Sequence, residues 1–337
     1  MKKIMALCLA IMITFGISGC STKKSSQGLA NGGDKAVTLK LAHNLNERHP
    51  VHLALVEFAK SVEKKTNGSV KVQIFPNGQL GSETEVLEQL QVGAVAMTKV
   101  SAAELSPYDE GYNALTLPYV FDNEKHFYKS MESGAVQELY TKTKEKGFIG
   151  LTYYNSGARS FYTPKKPILT PKDLKGLKIR VMGIKSQTEM VKALGGTAVA
   201  LSYGEIYTAL QSGVIDAAES NETALTNGKH GEVAKYFSYD EHTMIPDILV
   251  LSSRVWDSLT PDQQKSVKQA AEESTEYQKP LWTKSIDEAK VEAEKMGVKF
   301  NKVDKKAFSD AVAPMLEKYS DSMPEVKKLL EEFKKLK

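Results

Sequence analysis

From Val37 onward the hydrophobic pattern of this chain switches repeatedly between a period of two and a period of 3.6, and that alternation admits few folds. Val37 to Ala42 reads as a buried strand. Val51 to Lys65 sets Leu55, Phe58, Ala59 and Val62 on one face of a helix that Asn67-Gly68 ends. Val70 to Phe75 alternates as a strand, and Pro76-Asn77-Gly78 turns the chain. Ser82-Glu83-Thr84-Glu85 forms a capping box for a helix running to about Gln91, and Ala94 to Val100 is the next strand. Strand, helix, strand, helix, strand is the order of an α/β unit built on a mostly parallel sheet.

A second such unit follows. Ile149 to Tyr154 and Arg159 to Thr163 read as strands, Thr170-Pro171 opens a short helix, and Leu177 to Met182 is a buried strand. Two further capping boxes, Ser186-Gln187-Thr188-Glu189 and Ser202-Tyr203-Gly204-Glu205, predict helices ending at Gly195-Gly196 and at Gly213. Val214 to Ala218 and Met244 to Ser253 read as strands. Thr260-Pro261-Asp262-Gln263 then caps a helical pattern that reaches about Lys295 and is broken only by Pro280. As one helix it is ~50 Å long, enough to bridge two domains with a kink at Pro280.

Ahead of this region, Lys2 and Lys3 precede an apolar run from Ile4 to Ile17 of signal-peptide length, short of the ~20 residues a spanning helix needs. The run ends in Ile17-Ser18-Gly19-Cys20, which resembles the lipobox of bacterial lipoproteins, where the cysteine is diacylated and becomes the first residue after cleavage. Residues 1–19 are then the signal peptide. Cleavage removes Cys8 and leaves Cys20 as the sole cysteine, so an internal disulfide is excluded. Residues 20–35, polar and rich in Ser, Lys, Gly and Asn, read as a flexible tether, which predicts a lipid-anchored protein on the outer face of a cell membrane. Roughly 300 residues remain, enough for two domains. Removing Lys2 and Lys3 takes the formal charge from +4 to +2, with no basic patch for nucleic acid; Lys327, Lys328, Lys334, Lys335 and Lys337 read as one solvated helix face.

Catalytic motifs are largely absent: there is no HExxH, GxSxG, phosphate loop or dinucleotide fingerprint. Ser61-Val62-Glu63-Lys64 matches SxxK inside an amphipathic helix without companion motifs. His49 and His52 lack the further ligands a zinc site needs, and His49 beside Pro50 suits a helix start. No cofactor and no metal are expected. What remains is a set of charged and amide groups at strand ends, where α/β sheets bind ligands. Arg180 alternates with Leu177, Ile179 and Val181; alone, it reads as solvent-facing. Arg159 follows a Ser-Gly turn. Two arginines in neighbouring strands offer a carboxylate a bidentate clamp that lysine cannot match. Lys99, Glu85 and Asn44 could supply hydroxyl-binding partners from the first unit, although Glu85 is equally explained as the capping-box acceptor.

Four stretches carry a family resemblance: Phe75-Pro76-Asn77-Gly78-Gln79-Leu80-Gly81; Gly157-Ala158-Arg159-Ser160-Phe161-Tyr162; Leu174-Lys175-Gly176-Leu177-Lys178-Ile179-Arg180-Val181; and Tyr207-Thr208-Ala209-Leu210-Gln211-Ser212-Gly213-Val214-Ile215-Asp216. With them the chain, from Leu39 to roughly Ser320, resembles the solute-binding subunit of a tripartite ATP-independent periplasmic (TRAP) transporter, the DctP type. The resemblance implies a two-domain, type II periplasmic-binding-protein-like α/β architecture with hinge strands and a long domain-spanning helix. The expected domains are 36–156 plus 247–285 and 157–246 plus 286–337. It also implies a non-enzymatic, monomeric binder of a small carboxylate that delivers its ligand to small and large permease subunits. Arg180 matches the family arginine that pairs with the ligand carboxylate, and the position of Arg159 lines many family sites.

The family's Asp-Gly-x-Glu-Asn departs here to Asp216-Ala217-Ala218-Glu219-Ser220-Asn221, so either Asn221 or Ser220 stands in for the usual site amide. The stretches Leu41-Ala42-His43-Asn44, Met97-Thr98-Lys99-Val100-Ser101-Ala102 and Asp240-Glu241-His242-Thr243 are similar to members associated with hexuronates, which favours a sugar acid. A C4-dicarboxylate stays open, with Lys99 as its second cation. So do a receptor presenting ligand to a sensor kinase and, more remotely, a surface enzyme acting on sugar acids.

Overall fold

The computed structural model describes residues 36–337; the expected signal peptide, the expected lipidation site Cys20 and the expected tether lie outside the described residues. The strands are β1 (Val37–Ala42), β2 (Val70–Phe75), β3 (Met97–Ser101), β4 (Phe148–Tyr154), β5 (Arg159–Thr163) and β6 (Lys178–Val181). They continue with β7 (Thr197–Ala200), β8 (Ala218–Ser220), β9 (Tyr236–Thr243), β10 (Asp247–Ser252) and β11 (Lys299–Lys302).

One sheet has the order β2-β1-β3-β10-β4, with β1 parallel to β2 and β3. β10 enters it antiparallel between β3 and β4, so the sheet is mostly parallel, as the local pattern predicts, with one antiparallel strand. That strand, which completes the sheet, arrives about a hundred residues after β4, outside any local pattern. A second sheet has the order β11-β9-β5-β8, with β5 antiparallel to both β8 and β9. β6 and β7 form a parallel pair linked to the segment before β8 by a bridge between Ile179 and Ala217.

Most helices start and stop where their caps predict. Helix Pro50–Lys65 begins at His49, whose Nδ1 accepts the Val51 N–H, and buries Val51, Ala54, Leu55, Phe58 and Val62. Asn67 and Gly68 leave it with positive φ. Both arms of the Ser82/Glu85 and Ser202/Glu205 boxes form. The box at Ser186 does not. That helix, Lys185–Ala193, has Ile184 as its N-cap, and Ser186 lies inside it, its hydroxyl 2.9 Å from that of Thr116. Glu189 pairs instead with Lys318. The expected strand Val214 to Ala218 also shifts, to Ala218–Ser220, because the Asp216 carboxylate caps β6 by accepting the Lys178 N–H.

Helix Pro261–Lys295 runs unbroken through Pro280. Near its start Val267, Ala270 and Ala271 pack in the core of the five-stranded sheet, and near its end Ala293 packs in that of the four-stranded sheet. Between them Gln278 donates to the Asn155 carbonyl at 2.9 Å and accepts the Asn155 N–H at 3.2 Å. That pair fixes the chain where it leaves β4 for β5. Among the described residues no helix is long and apolar enough to cross a membrane.

Candidate functional site

The segment Asn155–Ala158 carries the chain from the first sheet to the second, and a cavity of about 770 Å³ opens beside it, lined by residues from both sheets. Arg180, Arg159, Asn221, Ser220, Lys99, Glu85 and Asn44 all line it. Thus the structure gathers around one cavity seven residues spread over nearly 180 positions of sequence.

Two arginines form a positive pole. Arg159, the first residue of β5, donates from Nη2 to the Glu219 carboxylate at 2.9 Å and to the Glu219 carbonyl at 2.7 Å, and from Nε to the other carboxylate oxygen. Arg180 donates from Nε to the Leu201 carbonyl at 2.9 Å, while its Nη1 stays 3.9 Å from Glu219. Arg180 is only 4 % exposed, so the solvent-facing reading of a lone strand arginine fails: β6 is covered on both sides. Burial lowers its pKa from the ordinary value; Glu219 opposes this and Arg159 adds to it.

Behind the arginines lies a group of residues that sequence reasoning did not assign to the site. Between Arg159 and Phe161, two steps of β5 pair with five steps of β9, Thr243 to Ser238, and this bulge turns Asp240 and His242 inward. Asp240 accepts the Phe161 N–H at 3.1 Å. His242 Nδ1 lies 2.7 Å from Asp240 and its Nε2 lies 3.5 Å from Glu219. Burial would push the Glu219 carboxyl up, but Arg159 and His242 outweigh it and hold the group at about 2. Burial would likewise lower His242, but Asp240 and Glu219 lift it to about 9. Arg159, Arg180 and His242 therefore all face the one carboxylate of Glu219. The one signal for Glu219 in the sequence is its place directly before Ser220-Asn221; nothing local announces the bulge.

At the other pole Lys99 is fully enclosed, its ammonium 2.8 Å from Glu83 and 3.3 Å from Asp247. Burial opposes its charge, yet the two carboxylates raise its pKa above the ordinary lysine value. Its charge is already matched, which argues against a role as the second cation for a dicarboxylate. Glu85 completes its capping box, its carboxylate accepting the Ser82 N–H at 2.7 Å, and lines the cavity rim from there. Asn44 follows β1, and its Oδ1 is buried with no partner among the described residues.

Asn221 spends its amide on the fold. Its Nδ2 donates to the Ser156 carbonyl at 2.8 Å, and its Oδ1 accepts from the Thr223 N–H at 2.9 Å and the Thr223 hydroxyl at 2.6 Å. Thr223 in turn meets His49 Nε2 at 3.3 Å. His49 is held neutral by burial, which with Lys99 and His52 lowers it to about 3, and its Nδ1 is occupied at the helix cap. Among the described residues no group of three or more His, Cys, Asp or Glu is placed to hold a metal ion.

Residues 41–322 match the family described as bacterial extracellular solute-binding protein, family 7. A TRAP periplasmic solute-binding protein from Anaerococcus prevotii, solved with bound α/β-D-glucuronate, superposes with a TM-score of 0.87 at 36 % identity, over 89 % of this chain and 98 % of that one. One from Sulfitobacter sp., with bound β-D-galacturonate, gives 0.84 at 35 %, over 88 % and 99 %. The C4-dicarboxylate-binding periplasmic protein of Rhodobacter capsulatus is 31 % identical over 242 residues, 72 % of each chain.

Proposed function

Since the chain belongs to the family 7 bacterial extracellular solute-binding proteins, whose members bind solutes for transport and are not enzymes, we propose that it captures a hexuronate-type sugar acid. The observation that carries this reading is the make-up of the cavity: Arg159 and Arg180 share the one carboxylate of Glu219, and side-chain acceptors line it at Asn44, Glu83 and Asp247. A carboxylate suits the arginines and hydroxyl donors suit the acceptors. The likeness to uronate-bound structures supports the same assignment.

In this reading the domains are 36–156 plus 247–285 and 157–246 plus 286–337, and they close over the ligand about the Asn155–Ala158 crossing. Closure excludes water and strengthens each arginine contact. The protein acts as a monomer, is tethered through a diacylated Cys20 to the outer face of the membrane, and delivers its ligand to the small and large TRAP permease subunits. Of the two candidates for the site amide, Ser220 suits ligand contact better, because Asn221 is committed to Ser156 and Thr223.

Isothermal titration with D-glucuronate and D-galacturonate tests the reading. Arg180→Ala should weaken binding by ~2–5 kcal/mol while leaving the melting profile cooperative, because the ligand carboxylate loses its buried partner. Near-wild-type affinity in that variant would remove Arg180 from the site.

A further inference from the structure

This inference rests on the sugar-acid reading above. Glu83, Glu104 and Asp247 are acidic residues that line the cavity. Lys99 is the cation among them, and it is held between Glu83 and Asp247. Glu83 also accepts the Ser101 N–H from its second oxygen at 3.3 Å, and Glu104 accepts the Thr84 hydroxyl at 3.0 Å. Glu83 and Asp247 thus share one ammonium, and Glu104 has no ion-pair partner among the described residues. Burial, and after it the charge of Glu83, raises the Glu104 carboxyl above its ordinary value, as expected for two carboxylates crowded into one wall. An independent sign of what the cavity receives is Asn44, whose buried Oδ1 is an acceptor without a donor.

We propose that Glu83 and Glu104 make this cavity selective for hydroxy acids with a single carboxylate, and that they reject acids with a second carboxylate at the far end. A hydroxyl donates to Glu83, Glu104 or Asn44. A carboxylate in the same place meets other carboxylates, with Lys99 already paired, and like-charge contact of this kind is unfavourable. The site therefore takes a hexuronate and refuses the hexarate of the same carbon chain, in which C1 is a second carboxylate in place of the aldehyde-level hemiacetal carbon. It refuses C4-dicarboxylates for the same reason.

The test is calorimetric titration of the full-length protein, wild type and the variants Glu104→Gln and Glu83→Gln, with D-glucuronate, D-glucarate and succinate. Wild type should bind glucuronate about 100-fold or more tighter than either diacid. Glu104→Gln leaves the Lys99 ion pairs in place and should move the two sugar acids in opposite directions, glucarate tighter and glucuronate weaker. Glu83→Gln should move glucarate further, because it also releases Lys99 toward the ligand. A variant that is merely damaged loses both ligands together. Equal wild-type affinity for glucarate and glucuronate, tight succinate binding, or variants that shift both sugar acids by one factor would overturn the selectivity alone. Absence of any glucuronate binding by wild type would remove the sugar-acid reading, and the selectivity with it.

Discussion

His242 is an imidazolium sealed between two carboxylates, and its proton is linked to the stability of the fold. Its pKa stands at about 9 in the folded protein against an ordinary 6.5, so its contribution is complete below pH 6.5 and is lost as pH rises through 9. That contribution is on the order of 3 kcal/mol. His43, His49 and His230 behave oppositely. Burial first, and nearby cations after it, hold them at about 2, about 3 and about 3, so their contribution is complete above pH 6.5 and is lost as pH falls. Glu219, at about 2 against an ordinary 4.5, adds to the acid loss below pH 4.5. Thermal stability should therefore peak near pH 6.5 and decline on both sides. In His242→Gln the melting temperature should be lower at pH 6.5 but nearly level from there to pH 9, while the acid decline persists. An alkaline decline as steep as that of wild type would show that His242 does not carry it.

Among the elements, the decisive one is the short crossing between β4 and β5. Gly157 there has φ of +71°, and an added Cβ would stand 2.7 Å from the Trp282 ring and 3.2 Å from the Asn221 Cβ. Trp282 belongs to the long helix and Asn221 follows β8, so the crossing is packed against both. Gly157→Ala should destabilise the protein by about 1–3 kcal/mol, from the left-handed backbone and the overlap together. It should also weaken uronate binding, since Arg159 lies two residues on. Paired melting and titration experiments check this, and unchanged values in both would mean that the crossing adapts freely. The local code was legible in most elements of this kind: His49, Ser82, Ser202 and Thr260 all cap where hydrogen-bonding chemistry predicts. It failed at Ser186, where the same motif is engaged by Thr116, a residue 70 positions away. It was silent on the bulge of β9, because the extra residues there are defined by pairing with β5 rather than by their own pattern.

For the molecule as a whole, the lipoprotein reading gives residues 1–35 the task of holding it at the membrane and the body that follows the task of binding ligand. On the lipoprotein reading, Cys20→Ala should move the protein from the detergent phase to the aqueous phase in phase partitioning of cell fractions, with uronate affinity unchanged. Persistent detergent partitioning would end that reading. The sequence by itself determined the α/β class, most of the capped helices, the long helix from Pro261 to Lys295 and the pairing of two arginines, because periodicity, caps and residue chemistry act over a few positions. Only the tertiary structure decided which charges remain free. Lys99 looked available and is neutralised by Glu83 and Asp247; Arg180 looked solvent-facing and is buried; Asn221 looked like a ligand amide and is committed to Ser156 and Thr223. The physical reason is that electrostatic pairing depends on distance in space, and β10, β8 and the β9 bulge bring together groups that no local pattern relates.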